Sequence, residues 1–232
     1  MHLFYTPDIS GNIYTLSEEE SHHCTKALRL KKDSVIHLTD GKGNLYRCII
    51  IADDHKRCTV RVEETIKAFG KKNYAIHLAV APTKNTDRFE WFLEKATEIG
   101  VEEITPLICE HSERTKFKTD RFQKVIISAM KQSLKAYLPS LNEPCTFAEL
   151  IKKDFIGNKF IASYQENNSS LKALYKKESD VLILIGPEGD FSNKEIELAK
   201  ECNFTAVNLG DSRLRIETAA VIACHTINLM NE

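Results

Sequence analysis

The last two thirds of the chain alternate short apolar runs with segments of helical periodicity, and this alternation most constrains the fold. Five runs have the length and nearly continuous apolar character of buried strands: YAIHLAVAP (74–82), ITPLICEH (104–111), NKFIASYQ (158–165), VLILIG (181–186) and TAVNLG (205–210). Strands of this kind are covered on both faces, as in a parallel sheet packed between helices. The order of elements therefore predicts an α/β fold.

The segments between these runs carry helix signals. Residues 85–100 place apolar side chains at helical spacing and end at Gly100, which predicts a helix with Trp91 in its core-facing stripe rather than as a platform for stacked bases. Residues 118–138 predict one long helix that ends before Pro139. The Ala-rich segment 217–231 predicts a final helix packed in a core or against a partner subunit.

The first 70 residues have a different pattern, dominated by short strands. SVIHLTD and LYRCIIIA alternate as strands around the turn sequence DGKGN, and KRCTVRVEET adds a third strand with period two. Ser17 and Glu20 have the spacing of a capping box and predict one short helix. We therefore expect a small β-barrel domain over 1–70 and an α/β domain over 71–232, with a boundary near 68–73.

Composition narrows the class of protein. The chain is 42% apolar and 28% charged with a net charge of −1, and no apolar stretch or basic leader indicates a membrane span or secretion. We expect a cytoplasmic protein. The seven cysteines are odd in number and contain no CxxC, which favours reduced thiols over disulfides. His22, His23 and Cys24 are too close together to close a tetrahedral metal site alone, so we expect no metal.

Three predicted strand ends carry the most distinctive loops. They are IASYQ (161–165), LIGPEGDFS (184–192) and NLGDSRLRIET (208–218). Parallel sheets bind ligands at the carboxyl ends of their strands. Neither GxGxxG nor a GK[ST] phosphate loop occurs, which disfavours a dinucleotide or a nucleoside triphosphate. Gly-Pro-Glu-Gly is compatible with a loop that presents backbone groups to a flat heterocycle, or with an ordinary turn.

A resemblance to a known protein family favours a ligand-binding loop over an ordinary turn. IGPEGDFSNKEIELAKE followed by LGDSRLRIETAAVIA resembles the carboxyl-terminal signature of the RsmE family, the 16S rRNA uridine N3-methyltransferases of the SPOUT superfamily. Three further blocks, at 22–46, 84–114 and 129–141, resemble family blocks in the same order. Two departures stand out. Asp190 occupies a position where the family usually has glycine, and Ser212–Arg213 occupy positions where it usually has arginine followed by an aliphatic residue.

The resemblance implies a fold and a cofactor. Family members combine an amino-terminal PUA-like or OB-like β-barrel with a SPOUT α/β domain that contains a trefoil knot, and they form homodimers, for which helix 217–230 is an interface candidate. The implied cofactor is S-adenosylmethionine. The resemblance assigns it to ten residues: Ala162, Leu184, Ile185, Gly186, Gly189, Leu209, Gly210, Ser212, Leu214 and Arg215.

The implied reaction is methyl transfer to uracil N3 of 16S rRNA in the 30S subunit, at the position numbered 1498. N3 must lose its proton to become a nucleophile, so a base or a nearby cation is required. Arg215 is the candidate for stabilising the anion, and Glu188 or Glu217 for taking the proton. Both carboxylates are also compatible with structural roles as helix caps or arginine partners.

The target base must leave its stack, so an RNA surface is also implied. Residues 114–135 hold seven basic side chains and one acid, which suits a polyanion or a solvated helix face. The RNA-binding candidates are Arg29, Lys31, Lys84, Arg88, Arg114 and Gln132. Two other functions stay open: a non-catalytic RNA-binding or assembly factor, suggested by the departures, and a nucleotide-dependent enzyme.

Overall fold

The computed structural model describes residues 1–113, 117, 119–163 and 168–232, so Arg114 lies outside the described residues. The chain forms two compact units. Unit 1 comprises Met1–Lys71 and Met130–Leu138, and unit 2 comprises Lys72–Ala129 and Pro139–Glu232. The sequence pattern predicts that the whole of 71–232 forms the second domain, whereas residues 130–138 belong to unit 1.

Unit 1 is built on one five-stranded sheet. Its strands are β1 (Leu3–Tyr5), β2 (Ile13–Thr15), β3 (Val35–Thr39), β4 (Leu45–Ala52) and β5 (Thr59–Ile66), in the order β1-β3-β4-β5-β2. β1 pairs with β3 in parallel, and the other pairs are antiparallel. One short helix, α1 (Glu18–His22), begins at the predicted cap, where Ser17 Oγ accepts a hydrogen bond from the Glu20 N–H, and a π-helical turn, His23–Ala27, follows it.

The segment 130–138 joins unit 1 through the turn between β3 and β4. The backbone N–H of Gly43 donates to Ala136 O at 2.9 Å, and that of Leu138 donates to Gly41 O at 2.9 Å. A Cβ at Gly43 would lie 2.2 Å from the ring of Tyr137, so only glycine fits there. The glycines of this turn therefore allow it to contact residues 136–138 as well as to close the hairpin.

Unit 2 is built on a parallel sheet, as the apolar runs predicted. Its strands are β6 (Ile76–Val80), β7 (Glu103–Ile108), β8 (Ser140–Leu141), β9 (Cys145–Thr146), β10 (Asn158–Ala162), β11 (Val181–Ile185) and β12 (Thr205–Val207). The order is β12-β10-β11-β6-β7-β8, with β9 also paired to β7, and every pairing is parallel.

Helices alternate with these strands along the chain. They are α2 (Thr86–Ile99), α3 (Thr119–Gln132), α4 (Phe147–Ile151), α5 (Leu171–Leu174), α6 (Asn193–Glu201) and α7 (Ile216–Asn231). α4 and α6 share one core cluster with β6, β10 and β11, in which Leu184 is fully buried. α7 packs against α2, β6 and β11. Gly100, at φ 119°, ends α2 as predicted.

The third helix is shorter than its sequence pattern predicts. It ends at Gln132 rather than before Pro139, because Leu134 adopts a left-handed φ of 57°. The N–H groups of Leu134 and Lys135 turn back to the carbonyls of Lys131 and Met130 at 3.3 and 3.1 Å. This is a Schellman closure with leucine at the position usually held by glycine.

Candidate functional site

A cavity of about 390 Å³ opens at the carboxyl ends of β10, β11 and β12, which are neighbours in the sheet. The three loops that the sequence singled out follow these three strands. The described residues that line the cavity are Ala162, Ser163, Ile185, Gly186, Pro187, Glu188, Gly189, Asp190, Val207, Asn208, Leu209, Gly210, Ser212, Arg213, Leu214, Ile216 and Ala219. Parallel pairing thus brings the three loops to one edge.

The loop after β11 is held in a tight turn. The Asp190 N–H donates to Pro187 O at 3.0 Å, and Asp190 has a left-handed φ of 63°. Glycine adopts this conformation without steric cost and aspartate tolerates it, which explains how Asp190 can occupy a position usually held by glycine. Its Oδ1 accepts from the Phe191 N–H at 2.8 Å. At Gly186 a Cβ would lie 3.0 Å from the Phe191 ring, so glycine allows this aromatic side chain to pack beneath the loop.

The start of α6 fixes the same loop from its other end. Ser192 caps the helix, and Glu195 completes a capping box by accepting from the Ser192 N–H at 2.9 Å. The other carboxylate oxygen of Glu195 accepts from the Glu110 N–H, also at 2.9 Å. In the loop after β7, His111 Nδ1 lies 3.0 Å from Asp190 O. Because a carbonyl only accepts, we assign the proton of this bond to Nδ1.

The loop after β12 forms the opposite part of the wall. Gly210 has a φ of 122°, which only glycine adopts readily. Arg215 is the N-terminal cap residue of α7 and is exposed, between the cavity-lining residues Leu214 and Ile216. Asn208 joins this loop to the chain beyond β10, since its N–H donates to Ser169 O at 3.0 Å.

Eight of the ten residues predicted to contact the cofactor line the cavity: Ala162, Ile185, Gly186, Gly189, Leu209, Gly210, Ser212 and Leu214. Leu184 instead points into the core beside α4 and α6, and Arg215 is not among the described lining residues. Seven lining residues from or beside these loops were not among the predicted site residues: Ser163, Pro187, Asp190, Val207, Asn208, Arg213 and Ile216. All of them except Val207 lie in the loops that the sequence singled out. Ala219 had no such signal, because it comes from the first turn of α7.

The two candidate bases lie in different surroundings. Glu188 is exposed on the cavity wall and accepts from the Lys84 N–H at 3.3 Å. Glu217 is 8% exposed, lies in the first turn of α7 and has Oε1 3.9 Å from Arg88 Nε. Its position matches the structural alternative, that of a carboxylate at a helix N-terminus facing an arginine.

The RNA-binding candidates divide between the units. In unit 1, Arg29 is exposed with a φ of 55°, Lys31 Nζ lies 3.8 Å from Asp53 Oδ2, and Gln132 is exposed at the end of α3. In unit 2, Lys84 pairs with Glu113 at 2.9 Å, and this contact raises the pKa of the Lys84 ammonium. The exposed Arg88 guanidinium faces Glu217.

The side chain of Trp91 is exposed, although the sequence analysis placed it in the core-facing stripe of its helix. Trp91 is 43% exposed, whereas its neighbours Phe89 and Phe92 are buried. The prediction of a core tryptophan was therefore wrong: the apolar stripe of α2 passes through Phe89, Phe92, Leu93 and Ala96 and leaves position 91 outside it.

Cysteines and histidines are potential metal ligands, and two of the cysteines, Cys24 and Cys58, share a side-chain hydrogen bond. All seven cysteines are free, and five are buried. His23 Nδ1 lies 3.7 Å from Glu20, and no group of three metal-ligand side chains occurs among the described residues. Within those same residues, no helix has the length and apolar character needed to span a bilayer.

Comparison with known proteins relates both parts of the chain to RNA methyltransferases. Residues 70–228 match the family model described as an RNA methyltransferase domain, and residues 16–63 match one described as an RNA methyltransferase PUA domain. The crystal structure of a probable rRNA-methyltransferase from Porphyromonas gingivalis is 39% identical, covers 99% of both chains and has a TM-score of 0.92.

Two further relatives carry a more specific name. A ribosomal RNA small subunit methyltransferase E from Neisseria gonorrhoeae, solved bound to S-adenosyl methionine, is 26% identical over 100% of this chain and 98% of its own, with a TM-score of 0.88. The protein of the same name from Synechocystis sp. is 29% identical over 94% of this chain and 73% of its own length. This chain therefore belongs to the RNA methyltransferase family, among the ribosomal RNA small subunit methyltransferase E, or RsmE, proteins.

Proposed function

We propose that this protein transfers the methyl group of S-adenosylmethionine to N3 of a uridine in 16S rRNA, at the position equivalent to 1498. The observation that carries the proposal is the cavity at the ends of β10, β11 and β12. It occurs in a fold that superimposes along its whole length on a relative solved with S-adenosyl methionine bound.

The cavity suits this cofactor in size and in chemistry. Its volume of about 390 Å³ lies in the range of small-molecule sites. Apolar walls from Ile185, Leu209 and Leu214 fit an adenine ring, while backbone groups beside the glycines can reach its polar edge. Asp190 and Glu188 supply negative charge for a ligand that carries a sulfonium and an ammonium.

The protein's part in the reaction is orientation and proton removal. When bound, S-adenosylmethionine supplies an activated methyl group. Uracil N3 attacks well only as an anion, so a base must accept its proton and a cation must stabilise the charge. Glu188 is the better placed of the two carboxylates, because it is exposed on the cavity wall whereas Glu217 is buried against Arg88. Arg215 is the proposed anion stabiliser, beside the wall at the start of α7.

We assign RNA contacts to both units separately. The exposed basic residues Arg29 and Lys31 of unit 1, together with Gln132, fit phosphate and backbone contacts in a unit that matches a PUA model. Lys84 and Arg88 of unit 2 follow the end of β6, at the same sheet edge as the cavity. The proposal also includes Arg114.

The remaining features of the proposal have two origins. The family resemblance implies a trefoil knot in unit 2 and a homodimer with α7 in its interface, whereas the sequence pattern and the composition favour a domain boundary near residue 70 and a cytoplasmic location. The exposed Leu229 on α7 supports the interface. A knot agrees with the return of the chain from the edge strand β12 to pack α7 on β6 and β11.

The proposal is tested by methyl transfer to 30S subunits from a strain that lacks the modification. With labelled S-adenosylmethionine, we expect one methyl group per 16S rRNA, at N3 of a single uridine identified by mass spectrometry. Folded protein that binds S-adenosylmethionine and 30S subunits without transferring methyl groups would instead be the non-catalytic RNA-binding factor. Methylation of another atom or another RNA would contradict the proposed specificity.

A further inference from the structure

Asp190 is an acidic side chain in the wall of a cavity that, on the proposed function, receives a cation. It is half-buried and lines the cavity together with Glu188 and Arg213, the other charged residues among the described lining set. The loop after β11 therefore places a carboxylate-bearing residue in the wall of the cavity.

The carboxylate is held in place by the loop itself. The left-handed φ of 63° and the turn bond from the Asp190 N–H to Pro187 O fix the backbone. Oδ1 accepts from the Phe191 N–H at 2.8 Å, which limits rotation of the side chain. On the outer side, His111 lies 3.0 Å from Asp190 O. A charge so held acts on a ligand with little reorganisation.

We propose that Asp190 makes the cavity discriminate between the cationic methyl donor and its neutral thioether product. S-adenosylmethionine and S-adenosylhomocysteine share their adenosine, carboxylate and ammonium groups. They differ by one methyl group and one positive charge at sulfur. A carboxylate in the wall attracts the sulfonium and does not attract the thioether. Binding of the donor is favoured, and release of the product is eased. This inference rests on S-adenosylmethionine being the cofactor.

The effect of the Asp190 charge on binding is tested by isothermal titration of both ligands into the full-length protein and two variants. Asp190→Asn keeps the shape and tolerates the left-handed φ, and Asp190→Gly restores the usual residue. We expect each variant to lose roughly five- to fiftyfold in affinity for S-adenosylmethionine while its affinity for S-adenosylhomocysteine changes less than about twofold. Retained binding of the product shows that the cavity is intact.

Asp211→Asn is the matched control, because Asp211 is exposed in the loop after β12 and is not among the described lining residues. It should leave the ratio of the two dissociation constants unchanged. The inference would be overturned if both Asp190 variants bound the two ligands with the same ratio of dissociation constants as the wild type, whether or not binding of both became weaker. A wild-type protein that binds neither ligand would instead overturn the proposed cofactor.

Discussion

The backbone N–H of Glu110 donates a hydrogen bond of 2.9 Å to the side-chain carboxylate of Glu195, a residue that is only 8% exposed. The second oxygen of Glu195 closes the capping box of α6 on the Ser192 N–H. One buried carboxylate thus ties the start of a helix to the loop after β7. His111 of that loop lies 3.0 Å from Asp190 O, so the bond between Glu110 and Glu195 supports the cavity wall from outside.

Glu195→Gln should destabilise unit 2 and weaken cofactor binding. An amide keeps one acceptor oxygen but turns an NH2 group towards a second N–H donor, which leaves a buried bond unmade. We expect a loss of about 1–3 kcal/mol in the free energy of unfolding, measured by urea denaturation. Glu197→Gln, on the exposed side of the same helix, should change it by less than about 0.5 kcal/mol. Equal effects of both substitutions would show that the buried bond has no net value.

Glu188→Gln and Glu217→Gln separate the two candidate bases. If Glu188 takes the N3 proton, Glu188→Gln should lower the single-turnover rate of methyl transfer by roughly a hundredfold or more at saturating cofactor. Glu217→Gln should retain most of the rate, because Glu217 lies in the first turn of α7 and is paired with Arg88 of α2. Its main effect should be a modest loss of stability, since Arg88 is half-exposed. The reverse pattern would assign the base to Glu217.

Much of the fold follows from local sequence signals, and its exceptions have long-range causes. The apolar runs predicted five of the seven described strands of unit 2, all but the two-residue strands β8 and β9, and Gly100 marked the end of α2. The early end of α3 had no such mark, because a leucine occupies the left-handed position. Assignment of residues 130–138 to unit 1 depends on hydrogen bonds to the turn at Gly41 and Gly43, which no pattern along the chain reveals.

The sequence predicts which loops form the candidate site, but it does not predict which of their side chains face the cavity. Strand ends in a parallel sheet locate a ligand edge, and the three adjacent strands β12, β10 and β11 bring the chosen loops together. Leu184 and Ile185 are neighbours in one strand, so their side chains point in opposite directions. A continuous apolar run does not show which of them faces the cavity, and here Leu184 faces the core whereas Ile185 lines the cavity. The partners of Glu217 and Glu195 come from distant segments for the same reason.

Trp91 and Phe92 provide a test of which face of α2 is buried. Trp91→Ala should change the free energy of unfolding by less than about 1 kcal/mol, because the indole is 43% exposed. Phe92→Ala removes a fully buried ring and should cost about 3–5 kcal/mol. Urea denaturation of the two variants compares them directly. A large loss in Trp91→Ala, in conditions where the protein is monomeric, would restore the core assignment.

His77 lies in the sheet of unit 2 within a polar network. Its Nε2 is 2.7 Å from Thr105 Oγ1, and its Nδ1 is 3.6 Å from Glu103. Asn142 donates to the same Glu103 and Thr105 side chains. Burial lowers the pKa of the His77 imidazole below its ordinary value of 6.5, with Glu103 acting in the opposite direction and Lys153 in the same direction. The folded state therefore favours the neutral form of the His77 imidazole.

This lowered pKa makes stability depend on acid in a defined direction. Above about pH 6.5 the imidazole is neutral in both states, and its contribution to stability is fully present. As the pH falls below that value, the unfolded chain binds the proton first, so folding becomes less favourable until the folded-state pKa is passed. His77→Gln keeps a hydrogen-bonding group beside Thr105 and cannot titrate. Urea unfolding at pH 7.5 and 5.0 should therefore show a larger loss of stability in the wild type than in His77→Gln. His55→Gln, at an exposed loop position, should behave like the wild type, and an equal loss in all three proteins would mean that His77 does not set the acid sensitivity.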